Sequence, residues 1–179
     1  SVKTRLGYNK DILGEWLPAL LEAQPAAVAI HARTRREMSK VPAHWERVAR
    51  AVEIRNELKS DTLIIGNGDL KNIDDAREKI TQTGADGAML GRALFGTPWL
   101  FREEKKSFAS LATRLRIAVE HTKLFEELLG DIKNFAIMKK HFKAYAEGFP
   151  GAKELRVELM ETHNAAEVEA VIEKFLAAQ

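Results

Sequence analysis

Apolar positions in the first part of the chain fall into two alternating kinds of run. Short β-prone runs are separated by longer ones in which apolar residues recur at helical spacing. The short runs predict strands over Val2–Leu6, Ala27–His31, Thr62–Ile65 and Gly87–Leu90, and the longer ones predict helices over Ile12–Ala23, His44–Leu58 and Ile73–Thr83. Asn72 and Gly84 suit the start and stop of the last helix, because an asparagine side chain can accept from a free helix amide and glycine enters the left-handed region without penalty. After Pro98-Trp99 the strand pattern ends. From about residue 105 to 179 the chain reads as consecutive amphipathic helices, broken near Gly130, Gly148–Gly151 and His163-Asn164.

Alternating strand and helix units imply an α/β fold with a parallel sheet. Four such units leave a sheet with unpaired edges, which natural proteins close or cover. The pattern therefore fits four βα units of a longer (β/α)8 TIM barrel over residues 1–101, followed by an all-α helical bundle over 102–179. A compact doubly wound domain of four strands is the alternative.

Composition narrows the class. The 179 residues are 45% hydrophobic and 30% charged, with no cysteine, which removes disulfides, thiolate metal sites and cysteine catalysis within these residues. No apolar run approaches the roughly 18 residues that cross a bilayer, so no membrane association is expected and the cytoplasm is the default address. The formal charge of +2 conceals local asymmetry. Residues 131–156 carry Lys133, Lys139, Lys140, Lys143, Lys153 and Arg156 against Asp131, Glu147 and Glu154, a modest basic patch of the kind that is commonly just a solvated helix face.

Barrel chemistry gathers at the C-terminal ends of strands, and phosphate sites commonly form after the last two. Gly66-Asn67-Gly68-Asp69 and Gly91-Arg92, followed by Gly96, fall there. Glycines let backbone approach an anion, and a guanidinium fork suits phosphate oxygens. Lys3 and Arg5 alternate along the first strand and share one face, opposite Val2, Thr4 and Leu6. Either they meet an anionic or electron-rich ligand or they point to solvent. His31-Ala-Arg33-Thr34-Arg35-Arg36 packs one imidazole and three guanidiniums into six residues, which fits a phosphate or nucleic-acid backbone, or a solvated basic loop. The remaining histidines have no metal-ligand spacing, so no metal is expected, and the three tryptophans are expected to pack where helices meet the barrel.

In order and spacing, Val2-Lys-Thr-Arg-Leu-Gly7, His31-Ala-Arg-Thr34, Ile65-Gly-Asn-Gly-Asp69, Thr83 through Arg92 and Gly96-Thr-Pro-Trp-Leu-Phe101 resemble the tRNA-dihydrouridine synthase family. The resemblance continues through Met138–Tyr145 and Gly148–Ala152 and covers nearly the whole chain. It implies an FMN enzyme that reduces uridine in tRNA to 5,6-dihydrouridine with NADPH as reductant. Carried over, Lys3 and His31 contact the flavin ring, and Asn67, Gly68, Asp69, Gly91 and Arg92 form the end that holds its phosphate. Arg33 is placed with the cofactor, and Arg35, Lys139, Lys140, His141 and Lys143 with the tRNA. The family's catalytic cysteine, in an Asn-x-Gly-Cys-Pro motif, has no counterpart here, nor do the family's first four βα units, so the resemblance makes the units of residues 1–101 the last four βα units of the barrel. The resemblance therefore also implies a fragment that does not reduce uridine by itself and offers no catalytic residue of its own. Two other readings stay open: a non-catalytic RNA-binding module, and a phosphate-binding half-barrel that closes by self-association as a homo-oligomer.

Overall fold

The computed structural model describes residues 1–102 and 110–179. The chain divides into two compact units, Ser1–Ala93 and Leu94–Gln179.

In the first unit, four parallel strands, β1 (Val2–Arg5), β2 (Ala27–His31), β3 (Leu63–Asn67) and β4 (Gly87–Met89), pair in sequence order. Between them run α1 (Leu13–Glu22), α2 (Trp45–Glu57) and α3 (Ile73–Thr83). Right-handed crossovers between sequential neighbours put all three helices on one side of the sheet. There Leu13, Leu17 and Leu21 of α1 and Val48 and Val52 of α2 pack with Val28, Ile30 and Ile64 of the strands. Each fully buried leucine contributes about 1.5–3 kcal/mol by leaving water. A doubly wound sheet would reverse its strand order and carry helices on both faces. This sheet does neither.

The other face carries no helix of this unit. Two rows cross it in register, Lys3–Ala29–Ile65–Gly87 and Arg5–His31–Asn67–Met89. Strand β3 extends beyond the expected Thr62–Ile65. Pairing with His31 on one side and Met89 on the other carries the ladder through Gly66 and Asn67, a pair whose local propensity argues against a strand. Helix α3 starts at Asn72, whose side chain accepts from the Asp75 amide, and stops at Gly84 in the left-handed region, φ 69°.

The described elements of the second unit are the helices α4 (Leu111–Leu129), α5 (Ala136–Tyr145), α6 (Ala152–Met160) and α7 (Ala165–Ala177). Leu115, Phe142, Tyr145, Leu159 and Ile172 centre their own core. Breaks fall at Gly130, Gly148–Gly151 and Asn164, whose side chain caps α7 by accepting from the Glu167 amide. The expected helical start near residue 105 lies outside the described residues. The units part after Ala93 and not after 101, because the segment beyond belongs to the second core. The Phe95 ring meets His141, Gly96 lies against the Ala144 carbonyl, and Trp99 packs with the helices. Among the described residues no helix is long and apolar enough to cross a membrane.

Candidate functional site

Parallel pairing brings the C-terminal ends of all four strands to one edge, so Arg5, His31, Asn67 and Met89 stand side by side at the mouth of the loops. The amide of Asn67 ties this row together. Its Oδ1 accepts from Lys3 Nζ at 3.0 Å and its Nδ2 donates to the Met89 carbonyl at 2.7 Å. Lysine can only donate, which fixes the orientation of the amide. Lys3 reaches β3 because the β2 residue at its level is alanine.

Beyond Asn67 the chain turns through Gly68, φ 136°, and Asp69, φ 56°. A left-handed aspartate is tolerated where its side chain is well bonded. The Asp69 carboxylate accepts from Arg33 Nη2 at 2.5 Å, from Arg92 Nη2 at 2.7 Å and from the Ala43 amide at 2.9 Å. Burial works to raise its pKa, but the Arg33 hydrogen bond, the Ala43 amide and the two guanidinium charges outweigh it and hold the carboxyl below its ordinary value.

The two arginines on Asp69 differ in kind. Arg33 is 2% exposed and fully engaged, with Nε donating to the Val41 carbonyl, Nη1 to His31 Nε2 at 3.2 Å and Nη2 to Asp69. Arg92 keeps 66% of its side chain exposed and makes one ion pair. It opens a three-residue 3-10 turn, Arg92–Leu94.

Cations dominate the remainder. Lys3, Arg5 and Arg35 form no ion pair with any described carboxylate. Burial and then Arg5 lower the pKa of Lys3, while burial and then Arg35 and Arg33 lower that of Arg5. His31 is pushed down to about 4 by burial, Arg5, Lys3 and Arg33, against the weaker pull of Asp69. A cleft of about 690 Å³ lies among His31, Asn67, Gly68, Asp69, Gly91 and Arg92. A second, about 700 Å³, lies among Lys3, Arg5, Tyr8, Trp16, His31 and Arg35, sharing Arg5, His31 and Asn67 with the first. The pair can take an anion with an extended, partly apolar body. Among the described residues no group of histidines and carboxylates could hold a metal ion.

The glycines need a separate account. At Gly66 a Cβ would stand 2.3 Å from the Trp45 ring, and at Gly68 it would stand 2.7 Å from Ala43 Cβ. Both are glycine because the protein's own side chains fill the space, and Trp45 Nε1 further donates to the Gly68 carbonyl. Gly96 is accounted for by Ala144 in the second unit. Of these only Gly91 has open space where a side chain would be, so no neighbouring group accounts for its being glycine.

Lys3, His31, Arg33, Asn67, Gly68, Asp69, Gly91 and Arg92 thus converge on one edge, with Arg35 beside them. The supporting roles of Trp45, Ala43 and Met89 were not apparent from the sequence. Of the tryptophans, Trp45 packs between helix and sheet as expected, Trp16 is 42% exposed and donates to Thr4 Oγ1, and Trp99 joins the second core.

In the second unit, α5 buries Met138, Phe142 and Tyr145 and leaves Lys140 and Lys143 exposed. Lys139 Nζ donates to the Met160 carbonyl at the end of α6, at 2.6 Å. The His141 ring packs edge-on against Phe95 and His121 at centroid distances of 5.2 and 5.1 Å.

Comparison with known proteins gives a consistent result. A family model described as dihydrouridine synthase matches residues 1–179. A protein of Staphylococcus aureus (strain Mu50) named probable tRNA-dihydrouridine synthase is 40% identical over 181 residues, covering 99% of this chain and 54% of that protein. Probable tRNA-dihydrouridine synthase 2 of Bacillus subtilis (strain 168) is 39% identical, covering 98% of this chain and 54% of the relative. The chain spans about half the length of the curated relatives it matches.

Proposed function

The chain belongs to the dihydrouridine synthase family, and from that premise we propose that it is the flavin-phosphate and RNA-facing part of a tRNA-dihydrouridine synthase. In this reading the first unit is one half of a (β/α)8 barrel whose remaining strands cover the helix-free face, and the second unit is a tRNA-binding domain.

The observation that carries the proposal is the excess of cations at the strand ends. Lys3, Arg5, Arg35 and the exposed fork of Arg92 face two adjoining clefts with Asp69 as the one counter-ion of the arginine pair. FMN fits that chemistry. Arg92 and the open backbone at Gly91 would take the phosphate, with Asn67 and Gly68 at its margin. Lys3 and His31 would lie along the ring, and Arg33 and Asp69 would hold the loop in shape. The chemistry FMN would supply there is hydride for the uridine 5,6 double bond, with NADPH as the reductant. The protein's part is to bind and orient. The cation Lys3 favours a ring edge that gains negative charge, and the backbone at Gly91 lets phosphate oxygens approach.

With no cysteine among its residues, this chain holds no thiol to protonate the uracil carbon. It is expected to form no dihydrouridine from unmodified tRNA by itself. Replacing Arg92 by Ala tests the assignment, since it removes a charge-assisted contact of about 1.5–3 kcal/mol. FMN affinity is expected to fall about tenfold or more, measured by flavin fluorescence titration, and an unchanged affinity would remove Arg92 from the phosphate site.

A second reading, an RNA-binding module without flavin, is favoured by one specific feature, the exposed Lys140 and Lys143 on α5. It calls for RNA affinity that falls steeply with salt and for no retention of FMN.

A further inference from the structure

We propose that Arg33, itself held by Asp69, is a positioning residue that locks His31 as a neutral imidazole protonated on Nδ1, so that the site offers its ligand a fixed hydrogen-bond donor there and no charge.

A guanidinium carries only donors, and it stays protonated throughout the working range. The 3.2 Å contact from Arg33 Nη1 to His31 Nε2 therefore requires a lone pair on Nε2. The proton of the neutral ring must then sit on Nδ1. Arg33 has little freedom to yield: it is 2% exposed, its Nε is committed to the Val41 carbonyl and its Nη2 to Asp69. Asp69 is in turn anchored by the Ala43 amide, so the chain of contacts ends on backbone.

The groups facing His31 oppose a second proton. Lys3 and Arg5 stand on β1, Arg5 directly beside it in register, and Arg33 stands two residues on. The nearest carboxylate, Asp69, is turned to Arg33 and Arg92. On β3 the neighbour in register is the neutral Asn67. On the other edge of the ring, Nδ1 makes no hydrogen bond to any described residue, and it is not among the buried polar atoms left without a partner. It is therefore accessible, and His31 lines both clefts. A donor so placed suits a carbonyl oxygen or an unprotonated ring nitrogen and rejects another donor. The proposal rests on the flavin reading only for the identity of that acceptor.

The test is a long-range proton–nitrogen correlation spectrum of the full chain labelled with 15N-histidine. His31 is expected to show a protonated Nδ1 and an unprotonated Nε2 from about pH 8 down to about pH 5, below the ordinary histidine pKa near 6.5. A ring protonated on Nε2, or an imidazolium in that range, would overturn the proposal. In Arg33→Met the lock is gone, and the two tautomers are expected to mix while the His31 midpoint rises only in part, because burial, Arg5 and Lys3 still oppose the second proton. An unmoved midpoint and tautomer in the folded variant would also overturn it. Should that variant not fold, the wild-type spectrum decides alone. Adding FMN to the wild-type chain separates the two ideas. A shifted Nδ1 resonance supports both, whereas the expected tautomer with no response to FMN upholds the lock and counts against the flavin reading.

Discussion

Asp69 is a carboxylate standing where a phosphate is proposed to come, and its charge alone would repel the ligand. Its contacts resolve the difficulty: it neutralises Arg33, which is buried, and engages one nitrogen of Arg92, leaving most of that fork free. Gly66 poses the reverse case, a residue whose apparent link to a ligand dissolves on inspection. With the Trp45 ring at 2.3 Å from the Cβ position, Gly66→Ala is expected to lower stability by about 1–3 kcal/mol through overpacking. Urea unfolding of the variant checks this, and a midpoint equal to wild type would mean that Trp45 moves aside freely. The sequence showed the glycines at strand ends but could not distinguish a neighbouring ring from a bound anion, since both exclude a side chain. It did place His31, Asn67 and Arg92, because strand ends in a parallel sheet must meet at one edge. The ion pair of Arg33 with Asp69 joins residues 36 apart and was beyond any local pattern.

At the scale of elements, α5 shows how one helix can divide its positions between core and solvent. Met138, Phe142 and Tyr145 face inward, and the lysines lie elsewhere on the turn. Lys139 differs from the other two in donating to the last carbonyl of α6. If the helix meets tRNA, Lys140→Ala with Lys143→Ala is expected to lower the slope of log affinity against log salt by about two. An unaltered slope in filter-binding titrations would place both lysines off the RNA. His141, by contrast, is part of a packed ring cluster with His121 and Phe95, and His121 Nδ1 is 3.1 Å from the Tyr145 hydroxyl. Burial lowers the pKa of His121; burial, then His121 and Lys140, lower that of His141. A histidine whose folded pKa lies below its unfolded value near 6.5 takes up its proton more readily when unfolded. The stability this provides is present above that value and is lost as pH falls through the folded pKa. The second unit is therefore expected to melt at progressively lower temperature as pH drops below about 6.5, and His121→Phe is expected to flatten that dependence. A melting temperature constant across that range would show the cluster to be open to water. Helix breaks at Gly148–Gly151 and Asn164 were legible, since left-handed glycines and side-chain caps act locally, whereas Gly130 ends α4 in the right-handed helical region. The extension of β3 into Gly66 and Asn67 was not, because it depends on partners from two other strands.

At the scale of the molecule, the described residues form two cores and a sheet face that carries no helix of its own unit. One unit buries its apolar residues between the sheet and three helices; the other buries its own among the four described helices. The parallel sheet was readable from the alternation of strand and helix, but the sequential order with helices on one side was not, since the same alternation allows a doubly wound sheet. The division after Ala93 was not, since Phe95, Gly96 and Trp99 follow the strand pattern in sequence yet pack with the second core. The face bearing Lys3, Arg5, His31 and Asn67 has the cations for an anionic ligand, and Leu63 and Met89 remain substantially exposed on that side. The central claim, that the strand ends form a preorganised flavin-phosphate site, is tested most directly by titrating this 179-residue chain with FMN and, in parallel, with riboflavin, following flavin fluorescence. Binding of FMN with little or no binding of riboflavin is the predicted result, because the phosphate is the part that Arg92 and the Gly91 backbone engage. Equal binding of the two, or binding of neither, would contradict it.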